Sequence, residues 1–380
     1  MKTICKKIPL KDVATFLNGY AFKPSDWSKE GLPIIRIQNL TGTNKEFNYY
    51  NGNYNEKYII ENGDILISWS ASLGIFLWKN ITGILNQHIF KVIFDKDIET
   101  DKLYFLHCMK YLIKKIEKNI HGSTMKHITR PEFEKINFPI YDIDIQRKIA
   151  KKLIFISEII DNNKRILVKL MDLSKSLFTT MFGDILNNSL NWRQVKLEDL
   201  CSSIVRGPFG SSLKKEFFVK NGYKVYEQKN AINQSADLGE YYINEEKFKE
   251  LKRFECKTGD IIMSCSGTVG KLFQLPEDSK KGVINQALCK FSLNNKTVSI
   301  YFLKCLEKIM ENLKLNGSGI KNISSVSYLR KIDISLPPIE LQNKFAERIK
   351  KIEKLKFEIE KSIEMAQNLY NSLISKYFDN

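Results

Sequence analysis

The longest regular feature of the chain is a pair of narrow apolar stripes. Taking every third and fourth residue alternately from Ile149 passes through Leu153, Ile156, Ile160, Asn163, Leu167, Leu170, Ser174, Leu177 and Met181, and eight of these ten positions are apolar. The same walk from Phe345 meets Ile349, Ile352, Lys356, Ile359, Ile363, Ala366, Tyr370, Leu373 and Tyr377, with Lys356 as the one polar residue. No proline or glycine interrupts either run. A stripe this narrow, sustained over four heptads, is a coiled-coil seam and needs another helix to cover it. At 1.5 Å per residue each run extends about 50 Å, longer than one turn of DNA. Two equal helices in one chain pair most simply with each other, antiparallel, and Asn163 and Lys356 within the seam would fix their register. The alternative is that each helix packs onto its own globular segment.

Ahead of each stripe the hydrophobic period shortens. Alternating segments at 34–40, 64–70 and 89–94 predict strands, residues 102–118 predict a helix, and 136–139 predict a further strand ending at proline. The second half matches, with a helix over 298–315 and a strand over 332–338. The match is a repeat of about 196 residues. Gly63-Asp64-Ile65-Leu66-Ile67-Ser68-Trp69-Ser70 recurs as Gly259-Asp260-Ile261-Ile262-Met263-Ser264-Cys265-Ser266. Asn86-Gln87 recurs as Asn285-Gln286, Gly122-Ser123 as Gly317-Ser318, and Gln146 as Gln342, in the same order. The predicted fold class is therefore α+β, with tandem globular domains at 1–144 and 184–340, each followed by a long helix at 145–183 and 341–380. Pairing of the helices would give a dumbbell with approximate internal twofold symmetry.

Charge narrows the partners. The 380 residues carry 60 Lys and Arg against 43 Asp and Glu, a formal +17, and such an excess favours a polyanion because phosphate contacts release condensed counterions. A Lys- and Asn-rich genome would produce part of the same excess on solvated faces. Seven scattered cysteines without a Cys-x-x-Cys pair suit neither a disulfide framework nor a metal site. Without a leading apolar signal or a run long enough to span a bilayer, a reducing cytoplasm is the expectation, with no membrane partner.

Enzymatic motifs are missing. Leu336-Pro337-Pro338-Ile339 lacks the Asn or Asp lead and the aromatic that an amino-methyltransferase motif requires. Ser266-Gly267-Thr268-Val269-Gly270-Lys271-Leu272 has two residues between its glycines where a phosphate-binding loop has four, and Leu272 where that loop needs Ser or Thr. The four histidines, His88, His107, His121 and His127, show no metal-ligand spacing, although His121 and His127 flank the Gly122-Ser123 loop.

The duplicated Gly-Asp-Ile turn and strand, the Gly-Ser loops, the Leu336-Pro337-Pro338-Ile339-Glu340-Leu341-Gln342 run leading into a long helix, and the endings Met181-Phe182-Gly183-Asp184 and Tyr377-Phe378-Asp379 resemble the specificity subunit of type I restriction-modification systems. The resemblance covers essentially the whole chain. It implies a non-catalytic subunit in which each globular domain is a target recognition domain for one half of a bipartite, asymmetric site in double-stranded DNA. The helices would set the spacing and dock methyltransferase subunits, two in number given two pseudo-equivalent helix ends. It leaves open a translocase-nuclease as a further subunit. S-adenosylmethionine, Mg and ATP would belong to partners, with no cofactor in this chain.

Base edges are discriminated by Arg, Lys, Asn and Gln, while Ser, Thr, Lys and backbone amides serve phosphates. Candidates in the first copy are Arg36, Gln38 and Asn39 at a strand exit, Ser68, Ser70 and Ser72 after the repeated strand, and Ser123, Thr124 and Lys126. In the second copy they are Arg206, Gln228, Lys229, Asn230, Ser264, Ser266, Thr268, Ser318 and Lys321. Many of these types also terminate strands through their own hydrogen bonds. A competing reading is a coiled-coil assembly scaffold whose basic ends bind proteins.

Overall fold

A computed structural model describes residues 5–70, 73–119, 130–315 and 326–379. It divides into two units, Met1–Arg165 with Glu360–Asn380, and Ile166–Ile359. Each unit thus contains part of both long helices.

The first unit runs β1 (Lys6–Pro9), β2 (Thr15–Asn18), β3 (Leu32–Ile35), α1 (Ile37–Thr41), β4 (Asn48–Tyr50), β5 (Ile59–Ile60) and β6 (Ile65–Ser68). It continues through β7 (Gly74–Leu77), β8 (Gly83–Leu85), β9 (Ile89–Ile93), α2 (Lys102–Asn119), α3 (Arg130–Glu134) and β10 (Asn137–Ile140) into α4 (Ile143–Phe182). One four-stranded sheet has the order β2-β9-β6-β7, a second β4-β3-β8-β5, and β1 pairs with β10. All pairings are antiparallel except β3 with β8.

The second unit repeats this plan with β11 (Arg193–Lys196), β12 (Cys201–Arg206), β13 (Phe218–Val219), β14 (Tyr223–Tyr226), α5 (Gln228–Ile232), β15 (Tyr242–Ile243), α6 (Glu245–Glu250) and β16 (Glu255–Cys256). Then come β17 (Ile261–Ser264), β18 (Leu272–Gln274), β19 (Gly282–Ile284), β20 (Leu288–Leu293), α7 (Ser299–Leu315), α8 (Val326–Arg330), β21 (Asp333–Leu336) and α9 (Ile339–Phe378). Its sheets have the orders β12-β20-β17-β18 and β13-β15-β14-β19-β16, with β11 paired to β21. Apart from the added β13 and α6, the two units share one topology.

The repeated apolar strand explains why the sequence carries an unbroken hydrophobic run there. Ile65 and Ile67 of β6 face the core shared with α2 and α4, while Leu66 faces a second core against the other sheet. In β17, Ile261 and Met263 take the first role and Ile262 the second. A strand buried on both faces has no position for a polar alternation.

Polar clamps are duplicated too. Gln146, fully buried, accepts the Asp101 N–H at 2.9 Å and donates to the Tyr141 carbonyl at 2.7 Å. Gln342, equally buried, accepts the Val298 N–H at 2.9 Å and donates to the Pro337 carbonyl at 2.8 Å. Tyr104 and Tyr301 donate to the carbonyls of Pro139 and Ser335 at 2.7 and 2.5 Å. Lys91 and Lys290, inside the central strands, reach Asp64 and Asp260 at 2.9 and 3.5 Å.

Each long helix holds 40 residues, about 60 Å, and so extends past the seam at both ends. Gly183, with φ of 72°, ends α4 in the left-handed conformation that a side chain disfavours. Within the first unit Asn163 donates to Ser362 at 3.0 Å, and Tyr141, just ahead of α4, donates to the Tyr377 carbonyl at 2.8 Å. The start of one helix therefore lies beside the end of the other, an antiparallel pair. Within the second unit Phe178 and Phe182 of α4 pack on Phe345 of α9, at 5.5 and 5.1 Å. Ile149, Leu153, Ile156 and Ile160 are buried in the first unit, where Ile363 and Leu373 are half-buried. In the second unit Phe345, Ile349 and Ile352 are buried, with Leu167, Leu170, Leu177 and Ile359 half-buried.

One expected strand is corrected. Residues 34–40 do not continue as a strand: β3 stops at Ile35, and Ile37–Thr41 form one helical turn because the Asn39 side chain accepts the Arg36 N–H at 3.0 Å.

Two outcomes follow from this packing. Replacing Gln342 with Leu strands a buried N–H and a buried carbonyl and lowers unfolding free energy by about 2–3 kcal/mol in urea titrations. The second concerns His107, which burial, aided by Lys110, pushes down to about 4 from 6.5, and which shares a 2.8 Å hydrogen bond with Tyr370. The unfolded chain protonates this imidazole near 6.5, the folded chain only near 4. Its stabilising effect is therefore complete above pH 6.5 and is lost as the pH falls towards 4. His107→Gln should remove on the order of 2–3 kcal/mol of that acid-side decline; an unchanged pH slope contradicts the assignment.

Candidate nucleic-acid interface

In the second unit β12 and β17 both run antiparallel to β20, so their C-terminal ends lie together at one sheet end. The backbone there is fixed by Gly207, where a Cβ would overlap the Asn285 carbonyl. Arg206 closes β12 and, although nearly buried, donates from Nε to the Gln286 carbonyl at 3.0 Å and from Nη2 to the Ser266 hydroxyl at 3.3 Å. Gln228, opening α5, donates to the carbonyls of Ser266 at 2.5 Å and Thr268 at 3.5 Å. Ser264 is fully buried and holds the same turn, donating to the Thr268 carbonyl at 2.5 Å and accepting the Lys271 N–H at 2.9 Å.

Five candidates thus converge: Arg206, Gln228, Ser264, Ser266 and Thr268. The Phe209 ring, 60% exposed, lies 5.5 Å from the Arg206 guanidinium. Beside them Lys229 pairs with Glu227 at 2.9 Å and sits 5.7 Å from the Tyr241 ring. The Cys265 thiol beneath is held below its ordinary range, first by a hydrogen bond with Cys289 and then by the charge of Arg206. A guanidinium, an amide and two hydroxyls fixed around one turn form the donor set that paired hydrogen bonds to base edges or phosphates require.

The first unit keeps the frame and changes the side chains. Gly19 packs on the Asn86 carbonyl as Gly207 does on Asn285, but Asn18 stands where the second unit has Arg206 and accepts the Trp69 indole N–H at 3.2 Å. Trp69 stands in place of Cys265 and meets His88 edge-on at 5.0 Å. Arg36 stands in place of Glu227, donating to Asn48 at 3.2 Å and lying 5.3 Å from the Trp27 ring. Gln38 is half-buried in α1, Ser70 half-buried beyond β6, and Ser68 is buried and donates to the Gly74 carbonyl at 3.5 Å.

Asn39 and Asn230 have another duty. Each accepts the N–H three residues earlier, at 3.0 and 2.8 Å. Each also donates to two later carbonyls, Asn44 and Glu46 for Asn39, Ser235 and Leu238 for Asn230. Asn230 is fully buried. Both amides lock the turn that displays their neighbours. Ser72, Ser123, Thr124, Lys126, Ser318 and Lys321, with His121 and His127, lie outside the described residues.

Sequence reasoning passed over Asn18, Trp27, Asn48, Phe209 and Gln286. Only Gln286 belongs to a repeated dipeptide; the others differ between the copies. The available signal was position, since Asn18 and Arg206 each precede the glycine that packs on the repeated asparagine.

The family model described as type I restriction modification DNA specificity domain matches residues 5–171 and again 189–366. The chain is 22% identical to the type I restriction enzyme EcoBI specificity subunit of Escherichia coli, over 98% of this chain and 85% of that one. It is 27% identical to the MjaVIII specificity subunit of Methanocaldococcus jannaschii, over 83% and 80%. The crystal structure of the type I system S subunit from M. genitalium superposes with a TM-score of 0.60 at 15% identity, covering 99% of this chain and 96% of that chain.

The two asparagines and the residues just ahead of them should separate cleanly. Asn39→Ala and Asn230→Ala each cost about 1–3 kcal/mol of stability by urea unfolding, whereas Gln38→Ala and Lys229→Ala stay within about 0.5 kcal/mol.

Proposed function

The chain belongs to the type I restriction-modification DNA specificity family, and from that premise we propose that its two units read the two unlike halves of one asymmetric DNA site. The carrying observation is a common frame holding different side chains at equivalent places: Asn18 against Arg206, Trp69 against Cys265, Arg36 against Glu227. A frame repeated in this way presents each set in the same orientation to its stretch of duplex, and the different chemistry selects different bases. The formal +17 supplies the sequence-independent part of the affinity.

In this reading the chain catalyses nothing itself and delivers methyltransferase subunits, two per chain, to the site. The paired helices set the distance between half-sites. Apolar side chains left exposed on them, Phe155 and Met365 in the first unit and Val168, Met171 and Phe357 in the second, supply protein-docking surface. S-adenosylmethionine, and any Mg and ATP, are bound by partners.

Mapping methylated bases in cells that carry the system should reveal two unlike half-sequences at a fixed gap. Deleting residues 160–166 and 359–365 removes one heptad from each helix, about 10 Å, and should shorten the gap by about three base pairs. A gap that stays the same rules out the helices as the ruler.

A further inference from the structure

The second sheet of each unit differs in what covers one end. Between β15 and β16 the second unit inserts α6, whose Phe248 is buried with Val225, Ile243 and Leu251 and stacks on Tyr223 at 3.9 Å. The matching stretch of the first unit, between β4 and β5, carries only a single 3-10 turn, Glu56–Tyr58. A cavity of about 320 Å³ remains there, walled by Tyr20, Phe22, Tyr50, Tyr54 and Tyr58. Tyr20 and Tyr54 are each 46% exposed.

The chemistry of this hollow is specific. Its rings meet edge to face, Tyr20 with Phe22 at 4.9 Å, Tyr20 with Tyr58 at 5.7 Å and Phe22 with Tyr50 at 5.0 Å. Asn53 and Asn55 add amide groups, and among the described residues no carboxylate lines it. The Lys57 ammonium lies 4.9 Å from the Tyr58 ring. Tyr20 is tied to the repeated turn, donating its N–H to the Leu85 carbonyl and accepting the Gln87 N–H, both at 2.8 Å, while the Asn86 N–H binds the Ile35 carbonyl beside Arg36. The hollow therefore adjoins the turns that carry the first unit's candidate readers.

We propose that this cavity receives one nucleobase unstacked from the bound duplex. The inference rests on the first unit being a DNA reader. Tyrosine faces accept any base by stacking. The phenol and amide groups suit a base's polar edge, and the absence of acid with a lysine at the rim suits the attached phosphate. A protein side chain from a partner would be the natural guest of an all-aliphatic hollow, whereas this one is walled by aromatic faces.

The test uses the full chain assembled with its methyltransferase partner and a target duplex carrying 2-aminopurine, moved one position at a time through the first unit's half-site. The base that becomes methylated is left unsubstituted. One position should brighten several-fold on binding, fall back to the duplex level in Tyr20→Ala/Tyr54→Ala, and stay bright in Tyr20→Phe/Tyr54→Phe. Should the alanine variant unfold, Asn53→Trp, which fills the hollow instead of dismantling it, must abolish the brightening. Brightening at no position, brightening that survives these variants, or loss of methyltransferase assembly in place of brightening overturns the proposal. Gel retardation of the same samples separates the two levels. Selective retention without brightening defeats the cavity alone, whereas no selective retention defeats DNA reading itself.

Discussion

Each long helix carries a fully buried glutamine in its first turn, and the packing within each unit depends on that side chain. Gln146 and Gln342 each take a backbone N–H from the segment leading into α2 or α7 and return a proton to the backbone just ahead of their own helix. Leaving either end unpaired would cost a desolvated amide, so the helix start cannot slide relative to the globular layer. The buried tyrosines Tyr104 and Tyr301 fasten the same corner to the strand that precedes the helix. The start of each helix is thereby tied to the sheets that precede it.

Such a frame lets recognition change without disturbing the fold. The glycines on the Asn86 and Asn285 carbonyls, the turn-locking amides of Asn39 and Asn230, and the lysine–carboxylate pairs inside the central strands all satisfy the backbone locally. The side chains set on them are free to differ. One unit builds its turn around an arginine and a glutamine bonded to backbone carbonyls, the other around an indole, a guanidinium and several phenol rings. The proposed division of one DNA site between unlike readers is a consequence of that separation between frame and surface.

The parts legible in the sequence are those fixed by burial periodicity. The seams appear because a paired helix buries every third and fourth residue, and the repeated Gly-Asp-Ile runs appear because β6 and β17 are covered on both faces. The turns were less legible. Residues 34–40 have the alternation of a strand, yet a single amide, Asn39, turns the backbone into a helix after Ile35, and no periodicity records a side-chain cap. Arg206, Gln228, Ser266 and Thr268, chosen by residue type, lie together at one turn because the repeat located their loops. The same choice also included Asn39 and Asn230, whose residue type suits a base edge and a turn equally well. Trp27 and Phe209 escaped because a choice by hydrogen-bonding residue type passes over aromatic rings, although each lies near its arginine in the sequence.

The central claim is that each unit is a self-sufficient reader on an exchangeable frame. It is tested most directly by replacing residues 5–140 with a second copy of residues 193–336, which span the matching strands, and sequencing the methylated sites in cells that supply the methyltransferase. The account predicts a symmetric target made of two copies of the second unit's half-sequence. Persistence of the first unit's half-sequence in the methylated sites would contradict it.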